Sequence, residues 1–267
     1  MNPFKWAKGS YIRWNANRAK QQLVSGDFIM SVEPEQFASS LSDPDSYYRR
    51  AFQDFHRTIP KELRAHRAYY SIDRRGFGED AFHTMWWRLV RRFKPENFLE
   101  IGVYRGQVIS LIALLARLEG IHCETTGISP FSSSGDSVSR YRSDLDYLED
   151  TLTHFTHFEL PEPTLANAFS TDSVALGVIA SRSWDMIYID GNHDYEVVHK
   201  DWTACSNAVR PGGIIIVDDS GLNTAYHPPA FSTGGHPGPS RLASEIDPKR
   251  FKEILQVGHN RVFQKII

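Results

Sequence analysis

Short apolar segments alternate with helix-like segments from about residue 95 to the end of the 267-residue chain, and this alternation restricts the possible folds. Strands separated by helices are joined by right-handed crossovers, which cover both faces of a parallel sheet with helices. The candidate strands are 97–101, 123–128, 158–160, 184–190, 214–217, 251–257 and 261–266. The last two flank Gly258-His259-Asn260, which predicts a closing antiparallel hairpin. We therefore expect a Rossmann-like, doubly wound α/β fold with a mostly parallel seven-stranded sheet.

Helical periodicity and turn residues fill the segments between these strands. Apolar side chains at helical spacing predict helices over about 80–92, 107–118, 173–180 and 195–209. Ser143 and Asp146 form a candidate capping pair for a further helix, and Arg210-Pro-Gly-Gly213 predicts a turn. Residues 220–240 are rich in Gly, Pro, Ser and His, which predicts a long loop, and a loop of this length is usually functional. We interpret it as a lid.

The sequence before the alternating region has a different character. We expect residues 1–79 to form an N-terminal helical extension or cap, and residues 80–267 to form the main domain. The first 26 residues interleave basic and aromatic side chains and contain no acid. They are either a partner-binding arm or a helix whose aromatic side chains pack on the body, and we favour the helix. An oligomer interface is possible there, although no feature fixes one.

Composition excludes several classes of protein. Thirty basic and 32 acidic residues give a formal net charge of −2, which does not point to nucleic acid or to an anionic membrane. The longest apolar stretch, 108–116, is far shorter than the roughly 20 residues of a membrane span. Two cysteines, Cys123 and Cys205, cannot build a disulfide scaffold or a cysteine-rich zinc site. We expect a soluble, cytoplasmic enzyme.

A glycine-containing turn joins the first strand to the following helix, with the sequence Glu100-Ile-Gly102-Val-Tyr-Arg-Gly106. Its spacing fits neither the dinucleotide fingerprint nor a P-loop. It resembles motif I of class I S-adenosylmethionine-dependent methyltransferases. The resemblance implies that the turn holds the methionine end of the cofactor and that Glu100 orders its amino group. Tyr104 and Arg105 are further cofactor candidates. The alternative is a tight strand-to-helix turn without a ligand.

The ribose contact of that family is less clear in this chain. The second strand ends at Ser129, where most members of the family carry an acid that binds the ribose hydroxyls. Asp136 and Asp172 are candidates for this contact, although each also fits a loop or a helix cap.

Three acids lie at the ends of two candidate neighbouring strands, namely Asp190 as the last residue of the fourth and Asp218 and Asp219 directly after the fifth. At one rim of a sheet these carboxylates would repel each other, and a divalent cation would remove that penalty. Oxygen ligands suit Mg²⁺, Ca²⁺ or Mn²⁺ rather than zinc. Each acid alone could equally end its strand and cap the next turn.

The stretches Asp190-Gly-Asn-His193-Asp-Tyr195-Glu, Arg210-Pro-Gly-Gly213 and Asp218-Asp219 are similar to metal-dependent small-molecule O-methyltransferases, above all those acting on macrolide sugars. The cephalosporin hydroxylase-type group shares this framework. The resemblance covers roughly residues 80–267. It implies Mg²⁺ on the three acids and His193 as the base, with Asp190 as a competing base that also falls in the cofactor site.

These observations lead us to expect Mg²⁺-dependent transfer of a methyl group from S-adenosylmethionine to a hydroxyl of a small molecule, a glycoside above all. His227 and His236 in the lid loop are candidate substrate contacts, or they cap turns. The alternatives are a differently reacting protein of the cephalosporin hydroxylase type and a non-catalytic protein that kept the fold. A non-haem iron oxygenase normally shows two histidines and one carboxylate, which the three acids do not match.

Overall fold

The computed structural model describes residues 3–27, 36–135 and 141–267, with side chains from residue 12 onward. Helices dominate the part of this chain before the sheet: α1 (Pro3–Ser25), α2 (Ser39–Ser42), α3 (Pro44–Arg57), α4 (Lys61–Tyr70) and α5 (Asp80–Phe93). The predicted N-terminal helical extension is therefore present. Trp14 on α1 is 55% exposed, so this aromatic side chain does not pack into the body as we expected.

Seven strands form one sheet in the order β3-β2-β1-β4-β5-β7-β6. They are β1 (Asn97–Ile101), β2 (Glu124–Ser129), β3 (Thr164–Asn167), β4 (Trp184–Ile189), β5 (Val209–Val217), β6 (Phe251–Val257) and β7 (Asn260–Lys265). The first five are parallel, and the β6–β7 hairpin adds the antiparallel pairs. This confirms the predicted fold class. The strand order reverses between β1 and β4, which is where ligands of such sheets bind.

Helices cover both faces of this sheet, as parallel strands require. The connecting helices are α6 (Gln107–Glu119), α7 (Tyr147–His157), α8 (Ser173–Ala180), α9 (Tyr195–Ala208) and α10 (Pro237–Glu245). One core cluster joins the N-terminal helices, α5 and α6 to the sheet, and the second lies between the sheet and α8, α9 and α10. Residues 214–217 of β5 are fully buried between the two, in agreement with their unbroken apolar run.

Three local predictions were wrong. The third strand is β3 rather than 158–160, because Phe158 to Leu160 end α7: the Leu160 N–H donates to Phe155 O at 2.9 Å. Asp146, not Ser143, caps α7 and accepts hydrogen bonds from Leu148 N and Glu149 N. The segment 210–213 belongs to β5.

The loop predicted over 220–240 ends earlier, because α10 begins at Pro237 and His236 is its N-cap residue. Proline is tolerated in the first turn of a helix, where its missing N–H would have no helical partner. The Gly-Pro composition therefore concealed the start of a helix. Of the helices in the described ranges, none has both the length and the apolar character needed to cross a membrane.

Candidate active site

Two adjoining cavities lie at the carboxyl ends of the strands, where the strand order reverses. The larger, about 690 Å³, is lined by Glu100, Gly102, Asp190, His193 and the pair Asp218 and Asp219, among others. The smaller, about 160 Å³, lies over the ends of β1 and β2 and is lined by Ser129. Gly102, Tyr104 and Gly191 border both cavities. The predicted turn and the predicted acids therefore meet in one place.

Gly102 allows β1 and β4 to end side by side. Its φ of +99° lies in the region that favours glycine. A Cβ atom there would lie 1.9 Å from the backbone oxygen of Asp190, so the two strand ends are in direct contact. The Asp190 N–H donates to Ile101 O at 2.8 Å, and Asp218 N–H donates to Ile189 O at 3.0 Å. These bonds continue the sheet and place both carboxylates at its edge.

The Glu100 carboxyl group is buried below the turn, and burial raises its pKa to about 8. Its Oε2 atom has no hydrogen-bond partner in the described part of the chain. A buried carboxyl oxygen without a partner costs free energy unless a ligand supplies a donor. An amino group of a bound cofactor would supply one, so Glu100 fits the role that the resemblance implies.

Asp190 and Asp218 carry opposite electrostatic perturbations although both are buried. Burial and the neighbouring Asp218 raise the pKa of Asp190 well above its ordinary value. Burial would also raise the pKa of Asp218, but His259 holds it well below the ordinary value. The His259 Nε2 atom lies 3.3 Å from Asp218 Oδ1. Burial lowers the pKa of His259, yet Asp218 and Asp219 outweigh it and raise that pKa to about 10.

The residues present fit a cation at this edge of the sheet. Glu100 Oε2 is a buried oxygen without a hydrogen-bond partner among the described residues, and buried Asp218 Oδ1 is contacted by His259 Nε2 at 3.3 Å, in an ion pair rather than a hydrogen bond of good geometry. Asp219 faces the same cavity and adopts φ +50°, a left-handed conformation that is uncommon for residues other than glycine. Clustered carboxylate oxygens of this kind are the ligands that hard divalent cations prefer.

His193 lies on the wall of the larger cavity, with its Nε2 atom 2.9 Å from Asp219 Oδ2. His236, from the end of the lid loop, lines the same wall, and its ring centroid is 4.2 Å from that of His193. Two histidines and a carboxylate therefore come together. The sequence analysis set such a triad aside because three acids do not match it, and the sequence did not show that His236 returns to the strand ends.

Several candidate residues lie away from both cavities. Arg105 is held by a bidentate ion pair with Asp150, at 2.6 and 2.9 Å. His227 is 84% exposed in its side chain and pairs with Asp45. Asp172 accepts a hydrogen bond from Phe169 N and caps a turn. Gly106, at φ +78°, shapes the start of α6. Asp136 lies outside the described residues.

Sequence reasoning missed His259, which was assigned only to the hairpin turn. β7 runs antiparallel to β5, with Arg261 opposite Val217, so the turn before β7 must lie at the carboxyl end of β5. The predicted hairpin therefore contained the signal. Glu79 was also missed: it lines the larger cavity and accepts a hydrogen bond from the Tyr48 hydroxyl.

Comparisons with known proteins find a likeness to methyltransferases. Residues 99–220 match the family model of a methyltransferase domain, and these residues run from β1 to just past the Asp218-Asp219 pair. A search of curated proteins finds no match.

Solved structures show the same fold at low sequence identity. A methyltransferase of Podospora anserina bound to SAH shares 16% identity over 91% of this chain and all of its own, with a TM-score of 0.56. A Bacillus cereus O-methyltransferase in complex with SAH shares 16% identity over 88% of this chain and all of its own, at 0.55. A Staphylococcus aureus protein, provisionally described as a caffeoyl-CoA O-methyltransferase, shares 11% sequence identity with this chain. The match covers 84% of this chain and 100% of that protein, with a TM-score of 0.59.

The chain thus has a Rossmann-like fold similar to that of the solved methyltransferases. More particularly, its residues 99–220 match the model of a methyltransferase domain, which supports the predicted methyltransferase enzyme.

Proposed function

We propose that this protein transfers a methyl group from S-adenosylmethionine to a hydroxyl of a small molecule, with Mg²⁺ bound at the strand ends. We further propose a sugar hydroxyl of a glycosylated natural product as the acceptor. The observation that carries the proposal is the single large cavity that joins Glu100 and Gly102 to Asp190, His193 and the Asp218-Asp219 pair. Cofactor and acceptor chemistry would meet there.

The two cavities divide the proposed cofactor between them. Gly102 leaves room for the methionine end beside Glu100, and Tyr104 borders both cavities. The smaller cavity, which we assign to the nucleoside, has hydroxyl groups and Asn192 as the polar side chains of its lining and no acid among the described residues. Ser129 is among these hydroxyls, so the ribose would be bound by neutral donors and acceptors. The bound cofactor supplies a methyl group on a sulfonium, ready for in-line attack.

Asp190, Asp218 and Asp219 are the proposed Mg²⁺ ligands. The ion would supply Lewis-acid stabilisation of the negative charge that develops on the acceptor oxygen. His193 is the proposed base, since it faces the cavity and its ring is held by Asp219 at 2.9 Å. A neutral imidazole oriented by a carboxylate is suited to take a proton near neutral pH. Asp190, with its raised pKa, is the competing base.

The walls of the larger cavity suit an acceptor with an apolar body and a polar reacting end. Phe77, Phe82 and Phe231 contribute aromatic side chains to its lining. Phe231 belongs to the lid loop and packs on Phe52 of α3, with ring centroids 5.5 Å apart. The lid and the N-terminal helices therefore touch each other over the cavity, and we propose that together they shape the acceptor site.

Calorimetric titration of the full chain tests the cofactor first. S-adenosylmethionine is expected to bind at micromolar concentration with and without Mg²⁺, and NAD⁺ is not. An acceptor screen of glycosides and catechols with Mg²⁺ then tests the substrate class. Absence of cofactor binding would refute methyl transfer and favour a non-catalytic protein. Methylation of catechols alone would refute the sugar acceptor, and cofactor-independent chemistry would favour the cephalosporin hydroxylase type.

His193→Ala tests the base, with His199→Ala on the exposed face of α9 as the matched control. General-base catalysis contributes typically about 10²- to 10⁴-fold, so we expect a loss of that order in kcat with cofactor affinity unchanged. His199→Ala should retain full activity. Equal turnover in the two variants would remove His193 from the mechanism.

A further inference from the structure

Three side chains from separate segments converge on the wall of the larger cavity. His193 follows β4, Asp219 follows β5, and His236 ends the lid loop. Asp219 Oδ2 lies 2.9 Å from His193 Nε2 and 3.8 Å from His236 Nε2. One potential ligand atom from each of the three side chains lies within 4.8 Å of the other two.

These distances match those between ligands of one metal ion. Metal–ligand bonds of about 2.1 Å place neighbouring ligands roughly 3.0 Å apart in an octahedron and 3.4 Å apart in a tetrahedron. The observed 2.9 and 3.8 Å bracket this range. The two imidazole nitrogens lie within 4.8 Å of each other, and rotation of side chains that are 14–34% exposed would bring all three ligand atoms to one ion.

The backbone holds the three residues in this arrangement through two close approaches of glycine. A Cβ atom on Gly235 would lie 2.2 Å from Asp219 O, and one on Gly238 would lie 2.1 Å from His193 O. The His236 N–H donates to Asp219 O at 2.8 Å. The lid loop and the first turn of α10 are thus fitted against the backbone of both other residues, so the cluster is set by the fold.

The donor set differs from that of the buried carboxylates beside it. Asp219 Oδ1 points to His259, at 3.8 Å, whereas Oδ2 points to His193 and His236. Two imidazole nitrogens and one carboxylate oxygen suit iron, manganese, cobalt or zinc, while Mg²⁺ and Ca²⁺ prefer oxygen ligands. Three protein ligands at a cavity wall leave coordination positions open to the cavity.

We propose that His193, Asp219 and His236 form a binding site for a divalent transition-metal ion that opens into the larger cavity. This site shares Asp219 with the Mg²⁺ position proposed above and differs from it in its other two ligands, His193 and His236. Since one imidazole cannot hold a metal ion through its Nε2 atom and serve freely as a base, occupancy of this site would oppose the base role of His193. The inference concerns metal binding alone and does not depend on methyl transfer.

Cobalt titration of the metal-stripped full chain tests the site, with visible absorption and calorimetry as readouts and no cofactor added. We expect one Co²⁺ per chain that tenfold excess Mg²⁺ does not displace. His236→Ala should weaken Co²⁺ binding at least about tenfold. His227→Ala is the matched control, because His227 lies in the same loop but pairs with Asp45, and it should bind within twofold of the wild type.

Circular dichroism and urea unfolding of both variants separate loss of a ligand from loss of the fold. Equal Co²⁺ affinity in folded His236→Ala and His227→Ala would overturn the proposal, as would the absence of stoichiometric Co²⁺ binding to the wild type. In that case His193 and Asp219 form a hydrogen-bonded pair only. Cofactor binding and methyl transfer are measured separately, so this result would leave the proposed function standing.

Discussion

Gly102→Ala probes the contact on which the candidate site depends. The glycine has φ +99°, and a Cβ atom would lie 1.9 Å from Asp190 O and 2.6 Å from Gly191 Cα. Both neighbours are backbone atoms at the end of β4, so no side-chain rotation relieves the clash. Accommodating alanine therefore requires the β1 and β4 ends to separate.

The cost follows from three terms. A disfavoured φ costs a non-glycine residue about 1–3 kcal/mol, and overpacking costs about 1–3 kcal/mol. Alanine also lowers the conformational entropy of the unfolded chain, which stabilises the folded state by about 0.4–1 kcal/mol. We expect a net loss of roughly 1–6 kcal/mol in the free energy of unfolding. Because Asp190 is displaced, affinity for S-adenosylmethionine should fall as well.

Two glycines that lack such neighbours serve as controls in urea unfolding. Gly120 has φ +65°, and a Cβ atom on it would meet no heavy atom within 4 Å. Gly120→Ala therefore strains the backbone without a steric clash and should lower the free energy of unfolding by about 1 kcal/mol. Gly177 lies in α8 with open space around it, and Gly177→Ala should gain up to about 1 kcal/mol. Both should keep cofactor affinity. If Gly102→Ala loses no more stability than Gly120→Ala and binds the cofactor normally, the packing of Gly102 on Asp190 is not what holds the site.

Three further outcomes follow from buried groups and from the histidine cluster. The folded-state pKa of Glu100, about 8, exceeds the ordinary 4.5, so its contribution to stability is present below pH 4.5 and is lost as pH rises to 8. Glu100→Gln should therefore lose less stability than the wild type between about pH 5 and pH 8 in urea unfolding. Equal losses in the two proteins would contradict this prediction. Ser110→Ala removes the buried hydrogen-bond partner of His66 Nε2, at 3.0 Å, and should lower the free energy of unfolding by about 1–3 kcal/mol. Ser206→Ala is the control, because its hydroxyl bonds only a carbonyl of its own helix, and it should lower the free energy of unfolding by less than about 1 kcal/mol. Micromolar Zn²⁺ should inhibit Mg²⁺-supported methyl transfer by the wild type but not by His236→Ala, and equal inhibition of both would place the inhibitory zinc elsewhere.

The fold was predictable where burial imposes a pattern. β4 and β5 are buried apolar runs that end in acids, and their register places Ile189 opposite Val217, so the acids after them had to meet. β3 lacks that pattern, because Thr164–Asn167 is a short edge strand in which no residue is fully buried. The third strand was predicted at Phe158 to Leu160 instead, because this segment contains two large apolar residues. In the structure it ends α7 and packs there.

The candidate site was predictable to the extent that it lies at strand ends. Gly102, Asp190 and Asp218 follow β1, β4 and β5, which are neighbours in the sheet, so topology alone brings them together. Arg105 shows the limit of this reasoning. It directly precedes Gly106 in the turn, yet Asp150, 45 residues later in α7, binds its guanidinium and holds it away from the cavities. No local pattern reveals such a partner.

His259 and His236, which both lie near Asp219, differ in whether the sequence could predict their positions. His259 follows from topology, because the turn of a hairpin paired antiparallel to β5 must return to the carboxyl end of β5. His236 does not, because its place depends on how closely Gly235 and Gly238 let the lid approach Asp219 and His193. The strand-end acids thus follow from the sheet, whereas the second nitrogen donor, His236, comes from a loop that can change without disturbing the sheet. A loop residue, rather than the strand-end acids, would then decide whether this edge of the fold binds a transition metal or a hard, oxygen-seeking cation.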